Sequence, residues 1–262
     1  MTKTILITGS TDGIGLVTAQ TLAAEGHTVL LHGRNAAKLE AAAKTIKGPV
    51  AQYKADLSDM VDVHALASAI RADHDQIDIV INNAGILKAP NTVTKEGYDL
   101  RFMVNAIAPY VLTRDLFPII AKNGRVVNLS SAAQAPVDLD ALHGRSQLSD
   151  MDAYAQSKLA LTIWSREMAR ELPDGPAIIA VNPGSLLASK MVKEGFGVAG
   201  SDLSIGANIL RDAAVGAGFA TASGKYFDND SQQFAPPNAA ALDAAHSAKV
   251  MQGLDEAAAV LG

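Results

Sequence analysis

The chain contains no cysteine. Disulfides, a thiolate nucleophile and cysteine-ligated zinc are therefore excluded. It also lacks any excess of basic charge: the net charge is -5, with neither a basic patch nor an acidic tail. That argues against a nucleic-acid partner and against binding to an anionic membrane surface. No apolar run approaches the ~18 residues that a membrane-spanning helix needs. The opening "MTKTILITG" runs straight into a β-like segment with no signal-peptide pattern, so a cytoplasmic protein is expected. The six histidines (27, 32, 64, 74, 143 and 246) show neither an HExxH motif nor paired spacing. They read as surface or loop residues, and no metal site is expected.

What the chain does have is aliphatic residues in a repeating order. Of its 262 residues 48% are hydrophobic, enough to bury a sizeable core. Short apolar runs suggest strands at "TILIT" (4–8), "TVLLH" (28–32), "VAQYK" (50–54), "IDIVIN" (77–82), "RVVNLS" (125–130) and "AIIAVN" (177–182). Between them lie Ala/Leu-rich segments of helical period, such as Asn35 to Ile46 and Asp59 to Arg71. Continuous apolar strands separated by helices predict a parallel sheet covered on both faces. Right-handed crossovers then give an α/β, doubly wound sheet of the Rossmann type. With no linker or repeat, residues 1–262 read as a single domain. The Ala-rich stretch 235–248 reads as a loop leading into a final helix.

After the first strand comes "TGSTDGIG", with Gly9, Gly13 and Gly15, followed by the helical run Leu16 to Ala24. A glycine turn between strand and helix lets backbone approach a pyrophosphate, and the helix N-terminus offers free N–H groups to it. Further on, "DAYAQSKLAL" places Tyr154 one helical turn before Lys158. That spacing alone is also what a surface pair on a helix would show. The spacing T-G-x-x-x-G-I-G, "NNAG" at Asn82 to Gly85, "NLSS" at the end of the fifth strand, "YAQSK", and "NPG" at Asn182 to Gly184 occur in one order. In these motifs the chain resembles the short-chain dehydrogenase/reductase family from residue 4 to about 191.

The resemblance implies a nicotinamide cofactor. Its contacts would fall on Gly9, Ser10, Asp12, Gly13, Ile14 and Gly15 of the turn, and on Asn83, Ala84 and Gly85 after the fourth strand. They would continue at Tyr154, Lys158, Pro183, Gly184 and Ser189, the last standing where relatives carry a threonine for the carboxamide. In dinucleotide folds an acid about 20 residues past the glycines holds the adenosine ribose. Here Gly33 occupies that place and Arg34 follows. Loss of the acid removes repulsion against a 2′-phosphate, and a guanidinium can bind one bidentately, which favours NADP(H) over NAD(H). Asp12, inside the glycine turn, counts against NADP(H). By resemblance Asp56, with Leu57 beside it, would meet the adenine; otherwise Asp56 is an N-cap for the next helix, a role for which Asp59 competes.

Hydride transfer to a carbonyl needs a proton on the other side. Acidifying a phenol by two to three units takes roughly 3–4 kcal/mol of preferential stabilisation of the phenolate. A cation within ~4–6 Å can contribute to that, and Lys158 has the reach. By resemblance Lys158 also holds the nicotinamide ribose, and Ser131, rather than its neighbour Ser130, stabilises charge developing on the substrate oxygen. In the helical stretch 96–121, Pro109 has no N–H for the carbonyl of Asn105. The freed acceptor suits an ordered water, and the family places its proton relay on this asparagine; the plain alternative is a kink.

Between Ser131 and Tyr154 the chain is longer than in many relatives, and this insert, with "GKYF" at Gly224 to Phe227, resembles the retinol-dehydrogenase branch. Part of it is expected to line the substrate mouth, unless it is a surface excursion. Glycines near Phe196 suggest a mobile lid. The expected activity is oxidoreduction of a small carbonyl or secondary alcohol, neutral or hydrophobic. The alternatives are a non-catalytic dinucleotide-binding regulator on the same fold and, with little room for it, an enzyme acting on an activated sugar. Association as a homodimer or homotetramer through helices near 96–121 and 152–172 would follow the family habit.

Overall fold

The computed structural model describes residues 2–188, 191, 193, 197 and 199–262. Its strands are β1 (Thr4–Ile7), β2 (Thr28–Gly33), β3 (Val50–Lys54), β4 (Ile77–Asn82), β5 (Ile120–Leu129), β6 (Ala177–Asn182), β7 (Tyr226–Asp228) and β8 (Gln233–Ala235). They form one sheet in the order β3-β2-β1-β4-β5-β6-β7-β8. Every neighbouring pair is parallel except β7 and β8. Strand order reverses at β1, which lies between β2 and β4, and such a switch point opens a crevice at the carboxyl ends of the strands.

The helices are α1 (Gly13–Ala24), α2 (Ala36–Thr45), α3 (Met60–Asp73), α4 (Leu100–Phe102), α5 (Ala108–Leu116), α6 (Leu139–Leu142), α7 (Asp150–Glu171), α8 (Leu203–Val215) and α9 (Ala244–Leu261). Asn35 caps α2, accepting from Lys38 N–H, and Asp59 caps α3, accepting from Val61 N–H. The N-cap role left open for Asp56 thus belongs to Asp59. Alternating strand residues divide the core. Ile5 and Ile7 pack with α1, α2 and α8 on one face, while Leu6 packs with α3, α5, α7 and α9 on the other. This two-sided burial is why the strands read as unbroken apolar runs.

Three differences from the sequence reading have local causes. The stretch expected to be one helix over 96–121 is composite: α4 passes through a π-turn at Met103–Ile107 into α5. A π-turn spaces its bonds five residues apart, and here Ala108 N–H reaches Met103 C=O just before Pro109. Strand β5 begins at Ile120, ahead of the apolar run, with a register irregularity against β4 at Ile77/Ile79. Strands β7 and β8 are three residues each, too short to show a period.

The insert before Tyr154 divides its roles. Its middle forms α6, where Ala141 and Leu142 are buried under α9. Gly253 of α9 sits so close that a Cβ there would lie 2.8 Å from Leu142 Cδ2. Only the ends of the insert, at Ala132, Ala133 and Met151, reach the cleft. Helix α9 also packs on α7, and its Asp255 accepts from Tyr110 Oη at 2.7 Å and pairs with Arg114 at 2.6 Å, both on α5. Val250, Leu254 and Ala257 of α9 are fully buried. Leu254→Ala is expected to destabilise the protein by about 2–4 kcal/mol, read as a lowered urea midpoint with an unchanged slope.

Candidate active site

A cleft of about 1420 Å³ opens at the carboxyl ends of β1, β2, β4, β5 and β6. Its floor is the turn from β1 into α1. Gly9 and Gly13 have φ of 63° and 56°, a left-handed backbone that glycine adopts without strain. A Cβ on Gly15 would lie 2.4 Å from Gly9 O and from Asn83 Nδ2, so the turn closes only with glycine there. Asn83 fixes it from β4: its Nδ2 donates to Thr8 O at 2.8 Å and Gly9 O at 2.9 Å. Thr8 Oγ1 in return accepts from the backbone of Asn83 and Ala84, at 3.0 Å each.

His32, expected at the surface, is 3% exposed and stands between the turn and β3. Its Nδ1 accepts from Gly9 N–H at 3.2 Å and its Nε2 faces Ala55 O at 3.1 Å, which fixes the proton on Nε2. Burial lowers its pKa to about 4, so the ring is neutral. Ser10 departs from its expected place. Its hydroxyl accepts from His32 N–H at 3.0 Å and donates to His32 O, so it turns into β2 and does not line the cleft.

Beyond the turn, at the ends of β2 and β3, the cleft is lined by Gly33's neighbours Arg34 and Asn35, by Lys38, and by Asp56 and Leu57, the residues expected to meet the adenosine. Arg34 is exposed and has no ion-pair partner among the described residues. Asp56 accepts from Ser58 N–H at 3.0 Å and Ser58 Oγ at 2.7 Å. Lys95 spans the rim to Asp59 at 2.7 Å.

At the other end α7 brings Tyr154 and Lys158 to face the tip of β5. Lys158 is 3% exposed and its Nζ donates to Leu129 O at 2.7 Å, lying 5.7 Å from the Tyr154 ring centre. Burial lowers its pKa to about 8. Burial raises the Tyr154 pKa, and the Ser131 hydroxyl beside the phenol opposes that rise. In the protein alone burial is the larger influence on the phenol, while the Lys158 Nζ donates to the Leu129 carbonyl. Both serines line the cleft, but Ser131 has its hydroxyl beside the phenol, whereas Ser130 is buried with its Oγ 2.6 Å from Thr162 Oγ1.

Asn105 lies in the π-turn, fully buried. Its side chain is committed to Ile86: Oδ1 accepts from Ile86 N–H at 2.8 Å and Nδ2 donates to Ile86 O at 2.9 Å and to Ser157 Oγ at 3.0 Å. Only its backbone carbonyl suits the expected relay. Pro183 and Gly184 line the cleft after β6. The turn between β7 and β8 grips this loop: Asn229 Nδ2 donates to Pro183 O at 2.9 Å, and Asp230 accepts from Ser185 N–H at 2.8 Å and Asn182 Nδ2 at 2.9 Å. Ser189 and Phe196, the centre of the expected lid, lie outside the described residues.

The site suits a dinucleotide. A Cβ on Gly13 would meet nothing within 4 Å, so the turn leaves open space beside the start of α1. The Asp12 side chain makes no capping bond to α1, and the first turn carries no acid, which leaves the helix N-terminus to an anion. The sequence reading missed His32, Thr8, Asn182 and Lys38, whose partners are distant in the chain. Among the described residues no group of three or more His, Asp or Glu is placed to hold a metal, and no helix is long and apolar enough to cross a membrane.

Comparison with known proteins agrees with this geometry. Residues 3–196 match the family model described as short chain dehydrogenase. Human retinol dehydrogenase 13 is 31% identical over 264 residues, covering 90% of this chain and 79% of that protein. A crystal structure of an uncharacterized protein from Mycobacterium Paratuberculosis superposes with a TM-score of 0.82 at 30% identity, covering 98% of this chain and 93% of that one. A metagenomic short-chain oxidoreductase in complex with NADP gives a TM-score of 0.62 at 28% identity, covering 80% of this chain and 89% of that one.

His32 yields an acid signature. Its folded pKa of about 4 lies below the ordinary 6.5, so between these values the unfolded chain holds the proton that the folded chain refuses. Stability is then lost as pH falls from 6.5 towards 4, by at most about 3 kcal/mol. Urea unfolding at a series of pH values is expected to show this slope, and His32→Gln to flatten it.

Proposed function

Because the chain belongs to the short-chain dehydrogenase/reductase family, in its retinol-dehydrogenase-like branch, we propose that it transfers hydride between NADP(H) and a carbonyl or secondary alcohol. The observation that carries this reading is one cleft with a glycine turn at one end and Ser131, Tyr154 and Lys158 at the other. The contacts would be made by Gly9, Asp12, Gly13, Ile14, Gly15, Arg34, Asp56, Leu57, Asn83, Ala84, Gly85, Pro183 and Gly184, with Tyr154 and Lys158 at the nicotinamide end and Ser189 completing them. When bound, the cofactor supplies or accepts the hydride. The preference for NADP(H) rests on Arg34 and on the absence of an acid at Gly33.

The chain's own residues then manage the proton. Ser131 Oγ orients the substrate oxygen, and Tyr154 Oη donates to it or withdraws from it. A phenol whose pKa is raised by burial holds its proton at neutral pH, which suits the donor role in reduction. Lys158, mostly protonated at pH 7, holds positive charge beside the phenolate left behind. A water on the Asn105 carbonyl returns the proton from solvent through Lys158.

The substrate is an apolar alcohol or carbonyl compound, a reading supported by Ile86, Leu87, Val104, Met151 and Leu187 among the residues that line the cleft. A non-catalytic regulator would have no need of these three groups facing one another. Residues 1–262 act as one NAD(P)-binding unit in the cytoplasm. A homodimer or homotetramer formed through the helices near 96–121 and 152–172 would follow the family habit.

Loss of NADPH absorbance with a panel of hydrophobic aldehydes and ketones tests the activity. Tyr154→Phe is expected to lower kcat by about 10²–10⁴-fold; turnover that survives it overturns the mechanism. Below pH 8 Lys158 is the ammonium and above it the neutral amine, so reduction by the wild type is expected to decline above about pH 8. Lys158→Met should be slow and without that inflection.

A further inference from the structure

We infer that Lys38 sets the preference for a phosphorylated cofactor by exchanging partners, leaving Asp12 for the 2′-phosphate. The inference rests on the NADP(H) reading above and concerns a residue that no motif in the sequence marks. Lys38 stands on the first turn of α2, where Asn35 Oδ1 accepts from its N–H at 3.0 Å. Its side chain reaches back over the adenosine end of the cleft, and its Nζ meets Asp12 Oδ2 at 3.1 Å. Both groups line the cleft with Arg34.

Three observations support the exchange. The first is steric. Gly33 carries no acid to select an unphosphorylated ribose, and a Cβ there would lie 2.5 Å from Thr11 Cγ2, so a side chain at this position would require Thr11 to shift. Selectivity must come from neighbouring charges. The second is the charge balance. Asp12 would repel a phosphate and offsets Arg34, so Lys38 supplies the second cation at this end, where another carboxylate, Asp56, is held by Ser58. The third is the exposure of the pair, 56% for the Lys38 side chain and 60% for that of Asp12. An ion pair so exposed is weak and readily broken. A phosphate monoester, carrying close to two negative charges and three acceptor oxygens, outcompetes a single carboxylate for the same ammonium.

Asp12 therefore has two effects. It parks Lys38 over the cleft when no phosphate is present, and it opposes the phosphate when one arrives. Removing it should tighten the phosphorylated ligand, whereas removing Lys38 should leave Asp12 uncompensated and weaken that ligand.

The test is calorimetric binding of NADPH, NADH, adenosine 2′,5′-bisphosphate and AMP to the wild type, Lys38→Gln, Asp12→Asn and the double variant. In the wild type NADPH should bind more tightly than NADH. Lys38→Gln should weaken NADPH and the bisphosphate by about tenfold, the size of one charge-assisted hydrogen bond, and move NADH and AMP less than about twofold. It should also flatten the salt dependence of NADPH binding. Asp12→Asn should tighten NADPH and the bisphosphate, and the double variant should recover much of what Lys38→Gln loses. Equal weakening of both cofactors by Lys38→Gln would show that Lys38 only braces the glycine turn, and would overturn the inference. So would a loss of NADPH affinity in Asp12→Asn. A wild type that binds NADH more tightly than NADPH overturns the cofactor reading itself, a result separate from the behaviour of the variants.

Discussion

A parallel sheet whose strands are buried on both faces must satisfy the polar backbone where the strands end, because water is scarce there and an unpaired amide is costly. This constraint organises the molecule. At the tip of β1, Thr8 and Asn83 exchange bonds with each other's backbone. Between β2 and β3, His32 joins Gly9 to Ala55. At the tip of β5 the Leu129 carbonyl is served by Lys158. Between β4 and β5, Asn82 Nδ2 donates to Asn128 Oδ1 at 2.8 Å. The groups that close the sheet's edge are the cleft walls or their immediate supports, so the site and the fold's polar closure are one structure.

The same burial sets the electrostatics. It pushes Lys158 down and Tyr154 up, so both lean towards their neutral forms, against the simple expectation of an ammonium acidifying a phenol. The Ser131 hydroxyl acts on the phenol in the other direction. With both groups leaning towards neutrality, the phenol keeps its proton at neutral pH in the protein alone.

Much of this was legible in the sequence because its signals are local. The strand–glycine–helix order placed the turn, and the alternation of apolar runs with helical segments placed the doubly wound sheet. The second of two adjacent serines, Ser131, does face the tyrosine. What was not legible depends on distance through space. His32 carries the same letter as the surface histidines, and only the proximity of Gly9 and Ala55 gives it a buried role. Ser10 sits inside the glycine motif, yet its hydroxyl serves His32. Pro109 marks the break in the helix, but nothing local shows that the break is a π-turn or that Asn105 within it is tied to Ile86. The insert before Tyr154 proved partly structural because α9 supplies the surface on which α6 packs.

The core on the α9 side of the sheet runs from Leu6 to Ala257, whereas that on the other face runs from Ile5 to Ala222. Contacts so far apart in the chain cannot form early, because the loop between them must close first. The core of the α1 face is complete once the chain has reached Ala222, whereas the other face also needs α9. Placing so late a helix against the one that carries Tyr154 and Lys158 gives the α9 face contacts of long sequence separation, the kind that raise contact order.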